Sequence, residues 1–226
     1  GYIFRRSGSN WTEQAKLTAT NGANGDYFGV SVAMSADGGT ALIGAMGDNE
    51  NQGGAYIFAL NNGSWTQQAK LKAADGIVYD EFGAAVALSA DASIALVGAT
   101  GHVGVSDTSG MAYLYTRSGT SWTQQQKLTA HDGMKYDFFG ESVALSADGR
   151  TVLVGANGDM ILANANQGSA HIFIRSGATW IFYAKLTADD GTEYGNFGAG
   201  VALSGAGSSA LIGSSQGTSY LFEPLP

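Results

Sequence analysis

The chain has 226 residues, a formal net charge of −8, 34 glycines, only 2 prolines and no cysteine. Its 11 Lys and Arg residues stand singly except for Arg5-Arg6, which argues against a phosphate-tracking surface and against nucleic acid as a partner. The cysteine count excludes disulfides, and no apolar run approaches the roughly 18 residues of a spanning helix, so we expect no membrane insertion.

The chain opens with an aromatic run, Tyr2-Ile3-Phe4, followed by Trp11 and then Lys16-Leu17. The same short motifs recur in the same order along the whole sequence. The tryptophans recur every 54 to 58 residues, at positions 11, 65, 122 and 180. Periods of this size are typical of propellers, solenoids and arrays. Because no linker separates the copies, we expect one domain over residues 1–226.

The second copy illustrates the strands that each repeat predicts. Residues 82–89 mix small side chains with Val and Leu, which indicates a strand buried in tight space. A turn at Asp91 leads to a strand at 94–97, a variable loop to an aromatic strand at 111–115, and a short turn to a strand at 122–128. Each repeat is therefore a predicted four-stranded antiparallel meander. Meanders that pack face to face around an axis form the blades of an all-β propeller.

The strand count predicts how the ring closes. The aromatic strand occurs five times and the other three types four times, which leaves one surplus strand near Leu221. We predict a four-bladed propeller with repeats at 28–81, 82–138 and 139–196, in which 1–27 and 197–226 form the closing blade. The alternative is a section of a larger propeller. Since Gly1 stands in mid-repeat, we expect a signal segment to have been processed or to lie outside this fragment.

The clusters Phe28-Gly29 and Gly44-Ala45, with their counterparts in the later copies, resemble the FG-GAP repeat over essentially the whole chain. The resemblance implies a β-propeller like the head of integrin α subunits and of many bacterial extracellular proteins. It also implies calcium loops between the first two strands of a repeat. Here that place holds short turns such as Asp37-Gly38, which are too short to supply the six to eight oxygen ligands of Ca²⁺.

Acidic residues precede each Phe-Gly and are the candidate metal ligands. They fall into Asp75 with Asp80 and Asp132 with Asp137, while the first copy has Asn21 with Asp26 and the fourth has Asp190 alone, with Gly195 in the second place. A cation held by these carboxylates would be calcium, the one cofactor that the pattern suggests. The alternative, favoured by repetition in every copy, is a structural turn in which Asp75 or Asp132 bonds the backbone before glycine while Asp80 or Asp137 caps the next strand.

The loops after Gly-Ala differ most between copies and are the candidate ligand-binding loops. Variable loops on a rigid scaffold are where recognition is usually placed, and the alternative for each residue is a solvated connection. The candidates are Asp48, Asn49, Glu50 and Asn51 in the first loop, His102 and Asp107 in the second, and Asp159, Asn164 and Asn166 in the third.

The four tryptophans have two interpretations. One indole per repeat at a fixed strand position predicts packing between blades, whereas exposed indoles would suit stacking on sugars. The three histidines, His102, His131 and His171, occupy different repeat positions and do not predict a shared metal site. No nucleophile elbow accompanies the serines, so we expect no catalysis.

The sequence therefore predicts a non-catalytic extracellular or cell-surface module, structural or adhesive, that mediates protein–protein interaction or self-assembly. The variable loops or the surplus strand would make the contacts. The alternative is a multivalent lectin with one glycan site per blade.

Overall fold

The computed structural model describes residues 1–101 and 109–223, and within them the chain forms 17 strands in five antiparallel sheets. The strands are β1 (Tyr2–Ser7), β2 (Asn10–Lys16), β3 (Val32–Met34), β4 (Thr40–Ala45), β5 (Gly54–Asn61), β6 (Ser64–Leu71), β7 (Phe82–Leu88), β8 (Ile94–Ala99), β9 (Met111–Ser118), β10 (Ser121–Leu128), β11 (Phe139–Leu145), β12 (Thr151–Ala156), β13 (Ser169–Ser176), β14 (Thr179–Leu186), β15 (Gly200–Leu203), β16 (Ala210–Gly213) and β17 (Ser219–Phe222). A short helical segment, α1 (Asp48–Asn51), follows β4 and has left-handed backbone angles at Asn49 and Glu50.

Each sheet is a meander of consecutive strands, as the repeat pattern predicts. Three sheets have four strands: the first blade (β3–β6), the second blade (β7–β10) and the third blade (β11–β14). At the ends lie a two-stranded N-terminal half-blade (β1–β2) and a three-stranded C-terminal sheet (β15–β17). The middle strands β4, β8 and β12 are buried along their whole length because neighbouring blades cover both of their faces. These propeller-type blades confirm the all-β fold class.

The closing blade expected from residues 1–27 and 197–226 is not formed. In the described residues, β16 pairs on one side with β15 and on the other with β17, where Leu211 faces Leu221. β1 pairs with β2 in a separate sheet. The physical reason is competition between equivalent strands, since β17 has the same repeat position as β1 and occupies the edge of β16 that β1 would need. The N-terminal half-blade instead packs on the first blade, where Ile3 and Leu17 join the cluster around Ile43.

Apolar clusters between successive blades form the core. One cluster joins the half-blade to the first blade, and three more join the first to the second, the second to the third, and the third to the C-terminal sheet. Backbone hydrogen bonds of 2.9 Å also link the inner turns of successive sheets, from Ala36 N–H to the Ala90 carbonyl, from Ala90 to Ala147 and from Ala147 to Gly205. The blades therefore stack by repeating one interface.

Candidate interaction face

The loops before Phe-Gly and after Gly-Ala meet on one face of the molecule. The backbone N–H groups of Gly47, Gly101 and Gly158 each donate, at 3.0 Å, to the carbonyls of Asp26, Asp80 and Asp137 respectively. These bonds tie the loop that leaves the second strand of a blade to the loop that enters its first strand. We call this surface the loop face; it comprises residues 18–27, 46–53, 72–81, 100–101, 109–110, 129–138, 157–168, 187–196 and 214–218.

The second carboxylate of each acidic pair holds a turn. Asp26 accepts a hydrogen bond from the N–H of Ala23 at 2.7 Å, Asp80 from Ile77 at 2.8 Å, and Asp137 from Met134 at 2.6 Å. All three carboxyl groups are buried. Burial raises the pKa of Asp80, and it raises the pKa of Asp137 to about 6. These three candidate metal ligands thus hold turns, but the roles within a pair differ from the alternative interpretation, because the second aspartate and not the first accepts the backbone hydrogen bond.

The first carboxylate of each pair points away from the turn and binds side chains of its own blade. Asp75 accepts hydrogen bonds from the Tyr113 hydroxyl at 3.0 Å and from the Lys127 ammonium at 2.7 Å, and its pKa is lowered mainly by Lys127. Asp132 pairs in the same way with Lys185 at 2.7 Å, and Asp190 accepts from the Tyr220 hydroxyl at 2.8 Å. At Asp75 and Asp132, a lysine ammonium supplies the positive charge that a bound cation would otherwise bring.

The third blade gathers the densest group of titratable side chains. Ligand atoms of Asp132, Asp159 and His171 lie within 4.8 Å of one another, and the Lys185 ammonium contacts Asp159 at 2.6 Å as well as Asp132. Ser169 Oγ donates to Asp159 at 2.5 Å and lies 3.0 Å from His171 Nε2. A metal ion would have to displace Lys185 from both carboxylates. The serine, histidine and aspartate do not have triad geometry, because Asp159 accepts from the serine and lies 4.0 Å from the same imidazole nitrogen, Nε2, instead of orienting the ring through Nδ1. Ser169 and His171 are also fully buried.

The first and third variable loops use most of their polar groups internally. Asp48 is buried between Lys70 and the Tyr56 hydroxyl. Asn49 donates to Gln52, which in turn donates to the carbonyl of Gly76 in the next loop at 2.6 Å.

The same pair of hydrogen bonds, from Asn to Gln and from Gln to a carbonyl of the next loop, recurs at the third blade. Asn164 donates to Gln167, and Gln167 donates to the Ala188 carbonyl at 3.1 Å. The backbone carbonyls of Asn51 and Asn166 accept bonds from the N–H groups of Glu81 and Asn196. Of the candidate ligand residues, Asn49 and Glu50 are exposed, while His102 and Asp107 lie outside the described residues. The loops are therefore braced against their neighbours.

Sequence reasoning missed a set of exposed apolar side chains on this face. Tyr27, Tyr136 and Tyr194 are exposed and have positive φ angles of 53°, 75° and 59°. A bulky residue in the left-handed region costs about 1–3 kcal/mol and tends to occur at functional sites. A tyrosine three residues before Phe in three copies, at positions 79, 136 and 194, was the available signal for Tyr136 and Tyr194; Tyr27 stands directly before Phe28 and has no such signal.

Other exposed apolar residues lie in the loops of the same face. They are Ile77, Val78, Met134, Met160 and Leu162, and Leu162 is 95% exposed. We call these five residues and the three exposed tyrosines the apolar row. The row is a chemical feature of the loop face that remains open to a partner.

The tryptophans pack mainly between blades. Trp180 is buried in the cluster between the second and third blades, Trp122 packs on the cluster between the first and second, and Trp65 packs on the cluster at the half-blade. Trp11 is 66% exposed. Of the remaining histidines, His131 stacks on Phe182 at 5.8 Å between ring centroids.

Comparison with known proteins places this geometry in a family. Residues 11–58, 65–115, 122–173 and 180–222 match the FG-GAP repeat. The chain belongs to the FG-GAP repeat family. No curated protein sequence matches it. In the described part of this FG-GAP chain, no helix has the length and apolar character needed to cross a bilayer.

Solved structures show the same fold at low sequence identity. Hydrazine synthase of Kuenenia stuttgartiensis matches with a TM-score of 0.57 and 10% identity, over 85% of this chain and 57% of the other. The C-terminal WD40 domain of Sif2 matches with a TM-score of 0.51 and 13% identity, over 85% of this chain and 45% of the other. The FG-GAP chain thus spans about half the length of these two chains. Its blade arrangement is consistent with a four-bladed ring and with a section of a larger propeller.

Proposed function

We propose that this FG-GAP chain is a non-catalytic structural or adhesive module, extracellular or at the cell surface, which binds a protein partner through the loop face. The observation that carries the proposal is the apolar row. Its side chains are exposed and include three tyrosines and two methionines, residue types that are enriched in protein interfaces. Membership of the FG-GAP family, whose repeats are common in extracellular proteins, supports the location.

The braced loops support binding by a preformed surface. Hydrogen bonds from Gln52 and Gln167 hold the first and third variable loops against the loop of the next blade, so little ordering entropy would be lost there when a partner binds. The polar candidates Asp48 and Asp159 are buried in ion pairs and would not contact a partner. Apolar contacts from the row would then supply most of the affinity.

A lectin is the second candidate, and the exposed tyrosines favour it. Tyr136 and Tyr194 share one repeat position and Tyr27 lies on the loop of another blade, so three blades offer aromatic faces on which sugars could stack. Three of the four tryptophans pack between blades. The tyrosines would therefore be the side chains that stack on a bound sugar.

The test compares binding by matched variants. The immobilised chain is exposed to the secreted and surface protein fraction of its source cells, and in parallel to a glycan array. We expect a saturable protein ligand whose affinity falls more than tenfold in a Tyr136→Ser, Leu162→Ser variant, because truncated hot-spot residues typically cost 2 kcal/mol or more. Leu60→Ser, at an exposed position away from the loop face, is the control and should bind normally.

Two results would count against the proposal. Equal loss of binding in the Leu60→Ser control would place the contact elsewhere. Retention of glycans without any protein ligand would favour the lectin.

A further inference from the structure

The outer strand of the third blade departs from its repeat. The three residues that follow the tryptophan are polar in the other outer strands, where they are Thr12-Glu13-Gln14, Thr66-Gln67-Gln68 and Thr123-Gln124-Gln125. In β14 they are Ile181, Phe182 and Tyr183, which are 55%, 41% and 53% exposed. We call these three residues the rim patch. Three adjacent changes from polar to apolar at exposed positions distinguish β14 from β2, β6 and β10.

The rim patch lies on an interior blade, so its exposure does not depend on the ends of the array. The third blade packs against the second blade on one side and against the C-terminal sheet on the other. Thr66 and Thr123, which share the repeat position of Ile181, are exposed although a complete four-stranded blade follows each of them. The fold therefore directs this position to solvent in interior blades.

Phe182 has a partner within the chain for its changed side chain. Its ring stacks on that of His131, with 5.8 Å between the centroids. In the second blade, Gln124 has the position of Phe182 and accepts a hydrogen bond from the N–H of Ala74, the counterpart of His131. The aromatic pair thus replaces a polar contact. The other two members of the rim patch join none of the core clusters of the described residues, so packing within the chain does not account for them.

β14 also forms the outer edge of its sheet, where it pairs with β13 on one side. On the other side, the side-chain amide of Gln126 donates to the Trp180 carbonyl at 2.7 Å and accepts from the Trp180 N–H at 2.8 Å. From Ile181 to Ala184 the described residues place no strand at this edge, and the segment carries no charge. An uncharged apolar edge is a surface on which another chain can pack or pair.

The two ends of β14 carry charges of opposite sign. Near its first residues, Arg150 and Arg175 line a cavity of about 270 Å³ together with Gly177, and Arg150 lies 3.8 Å from a single carboxylate, that of Asp148. Beyond its last residue comes Asp189, which is exposed. Two antiparallel copies of β14 would bring the basic end of each beside the acidic end of the other. This self-complementary layout favours a second copy of this chain as the occupant of the rim.

We propose that two copies of this chain associate rim to rim about a two-fold axis, with their β14 strands antiparallel and their rim patches in contact. With the axis near Phe182, Ile181 of one copy faces Tyr183 of the other. The contact removes exposed apolar side chains of both copies from water, and the opposite charges at the strand ends set the antiparallel orientation. Because both copies use the same patch, the assembly closes as a dimer. It leaves the loop face free and therefore goes beyond the proposed function.

Sedimentation equilibrium tests the dimer with a variant that restores the polar residues of the repeat. An interface of one strand per copy is small, so we expect a dissociation constant of about 10–100 μM for the wild-type chain. The Ile181→Thr, Tyr183→Gln variant has the residues of the second blade at these positions and should weaken dimerisation about tenfold or more. Its melting temperature in dilute solution should equal that of the wild-type chain, because both positions are exposed.

Two results of this measurement would overturn the proposal. One is a wild-type chain that remains monomeric up to about 500 μM. The other is an equal dissociation constant for the wild-type chain and the variant, which would place the contact elsewhere.

Single engineered cysteines locate the contact, since the chain has no cysteine of its own. Ile181→Cys and Thr123→Cys introduce a thiol at the same repeat position of the third and second blades, and both positions are exposed. A short bismaleimide can join two copies only where their thiols lie close together. We expect a yield of covalent dimer from Ile181→Cys several times that from Thr123→Cys. Similar yields would contradict an interface at the rim of the third blade.

Charge reversal tests the antiparallel orientation. Asp189→Arg should weaken dimerisation about threefold or more, and adding Arg150→Asp should restore it to within about twofold of the wild-type value. Both side chains are exposed, so the variants should fold. A further loss of affinity in the double variant would show that these two ends do not meet.

Leu162→Ser separates this proposal from the proposed function. It lies on the loop face and should leave dimerisation unchanged while it weakens partner binding. If the wild-type chain were monomeric and the Ile181→Thr, Tyr183→Gln variant lost the protein ligand, the rim would belong to that ligand. A second copy would then be the wrong occupant.

Discussion

At the scale of single residues, His171 is the most informative departure from the repeat. The other copies have tyrosine at this position, where Tyr113 and Tyr220 donate to an aspartate. His171 is fully buried, and burial, with a smaller contribution from the Lys185 charge, lowers its pKa to about 4. Because this folded-state pKa lies below the ordinary value of 6.5, protons bind the unfolded chain more readily. Stability from this group is present above pH 6.5 and is lost as the pH falls towards 4.

His171→Tyr should therefore make the protein less sensitive to acid. Between pH 7 and pH 4.5 the wild-type chain should lose about 2–3 kcal/mol more unfolding free energy than the variant, since each pKa unit corresponds to about 1.4 kcal/mol. Urea unfolding at the two pH values measures the difference. Asp137, whose raised pKa makes the folded state more stable as the pH falls through 6, is present in both proteins and cancels from the comparison. Equal losses in the two proteins would contradict the assignment.

At the scale of elements, the Gly-Ala motif of one blade contacts the Phe-Gly motif of the next at each interior blade interface. A Cβ built on Gly44, Gly98 or Gly155, the glycines of Gly-Ala, would lie 2.0 Å from the carbonyl oxygen of the Phe-Gly glycine in the next blade. That second glycine has a φ angle of 96° to 98° at Gly83 and Gly140, a conformation that other residues rarely adopt. The motifs recur because the backbones of adjacent blades touch at this point.

Gly98→Ala should destabilise the fold strongly, whereas Gly213→Ala should not. A Cβ at Gly98 would lie 2.0 Å from the Gly140 carbonyl oxygen, but one at Gly213 would lie 3.7 Å from its nearest neighbour, the Gly200 carbonyl oxygen. We expect a cost of about 2–3 kcal/mol or more at Gly98, as for overpacked sites, and less than about 0.5 kcal/mol at Gly213. Thermal or urea unfolding of the two variants provides the measurement. Similar stabilities would show that the blades separate easily.

At the scale of the whole molecule, burial follows position in the array more than local sequence. Trp180 and Trp11 share one repeat position, yet Trp180 is 2% exposed and Trp11 is 66% exposed. The difference arises because Trp180 packs in the cluster that joins the third blade to the second, whereas Trp11 lies on the half-blade at the end of the array. The tryptophan at this repeat position is thus part of the core in one copy and exposed to solvent in another.

Trp180→Ala should cost about 3–5 kcal/mol of unfolding free energy, the usual range for truncating a core aromatic residue. Trp11→Ala should change it by less than about 0.5 kcal/mol, as for an exposed site. Both are measured by urea unfolding in dilute solution. A large cost at Trp11 would mean that the half-blade packs more tightly than its exposure indicates.

Much of the fold could be predicted because each strand has a local pattern. Small residues beside Val and Leu predicted the inner strands. The segment from the repeated Trp to the repeated Lys-Leu predicted the outer strands. The candidate site was less predictable. Asp75 and Asp80 stand five residues apart and look alike in sequence, but one binds Lys127 and Tyr113 while the other holds a turn. Their partners lie on different elements, so spacing alone could not separate the two roles.

The sequence by itself determined the repeat, the order of strands in each blade and the fixed positions of the glycines within a repeat, because these follow from local periodicity and backbone geometry. The tertiary structure decided which strand pairs with β16, since Tyr2-Ile3-Phe4 and Tyr220-Leu221-Phe222 offer it the same pattern. It also decided that Leu42 is buried and Leu211 exposed, although their local sequences are alike. Burial depends on whether a neighbouring blade is present, and no local pattern contains that information.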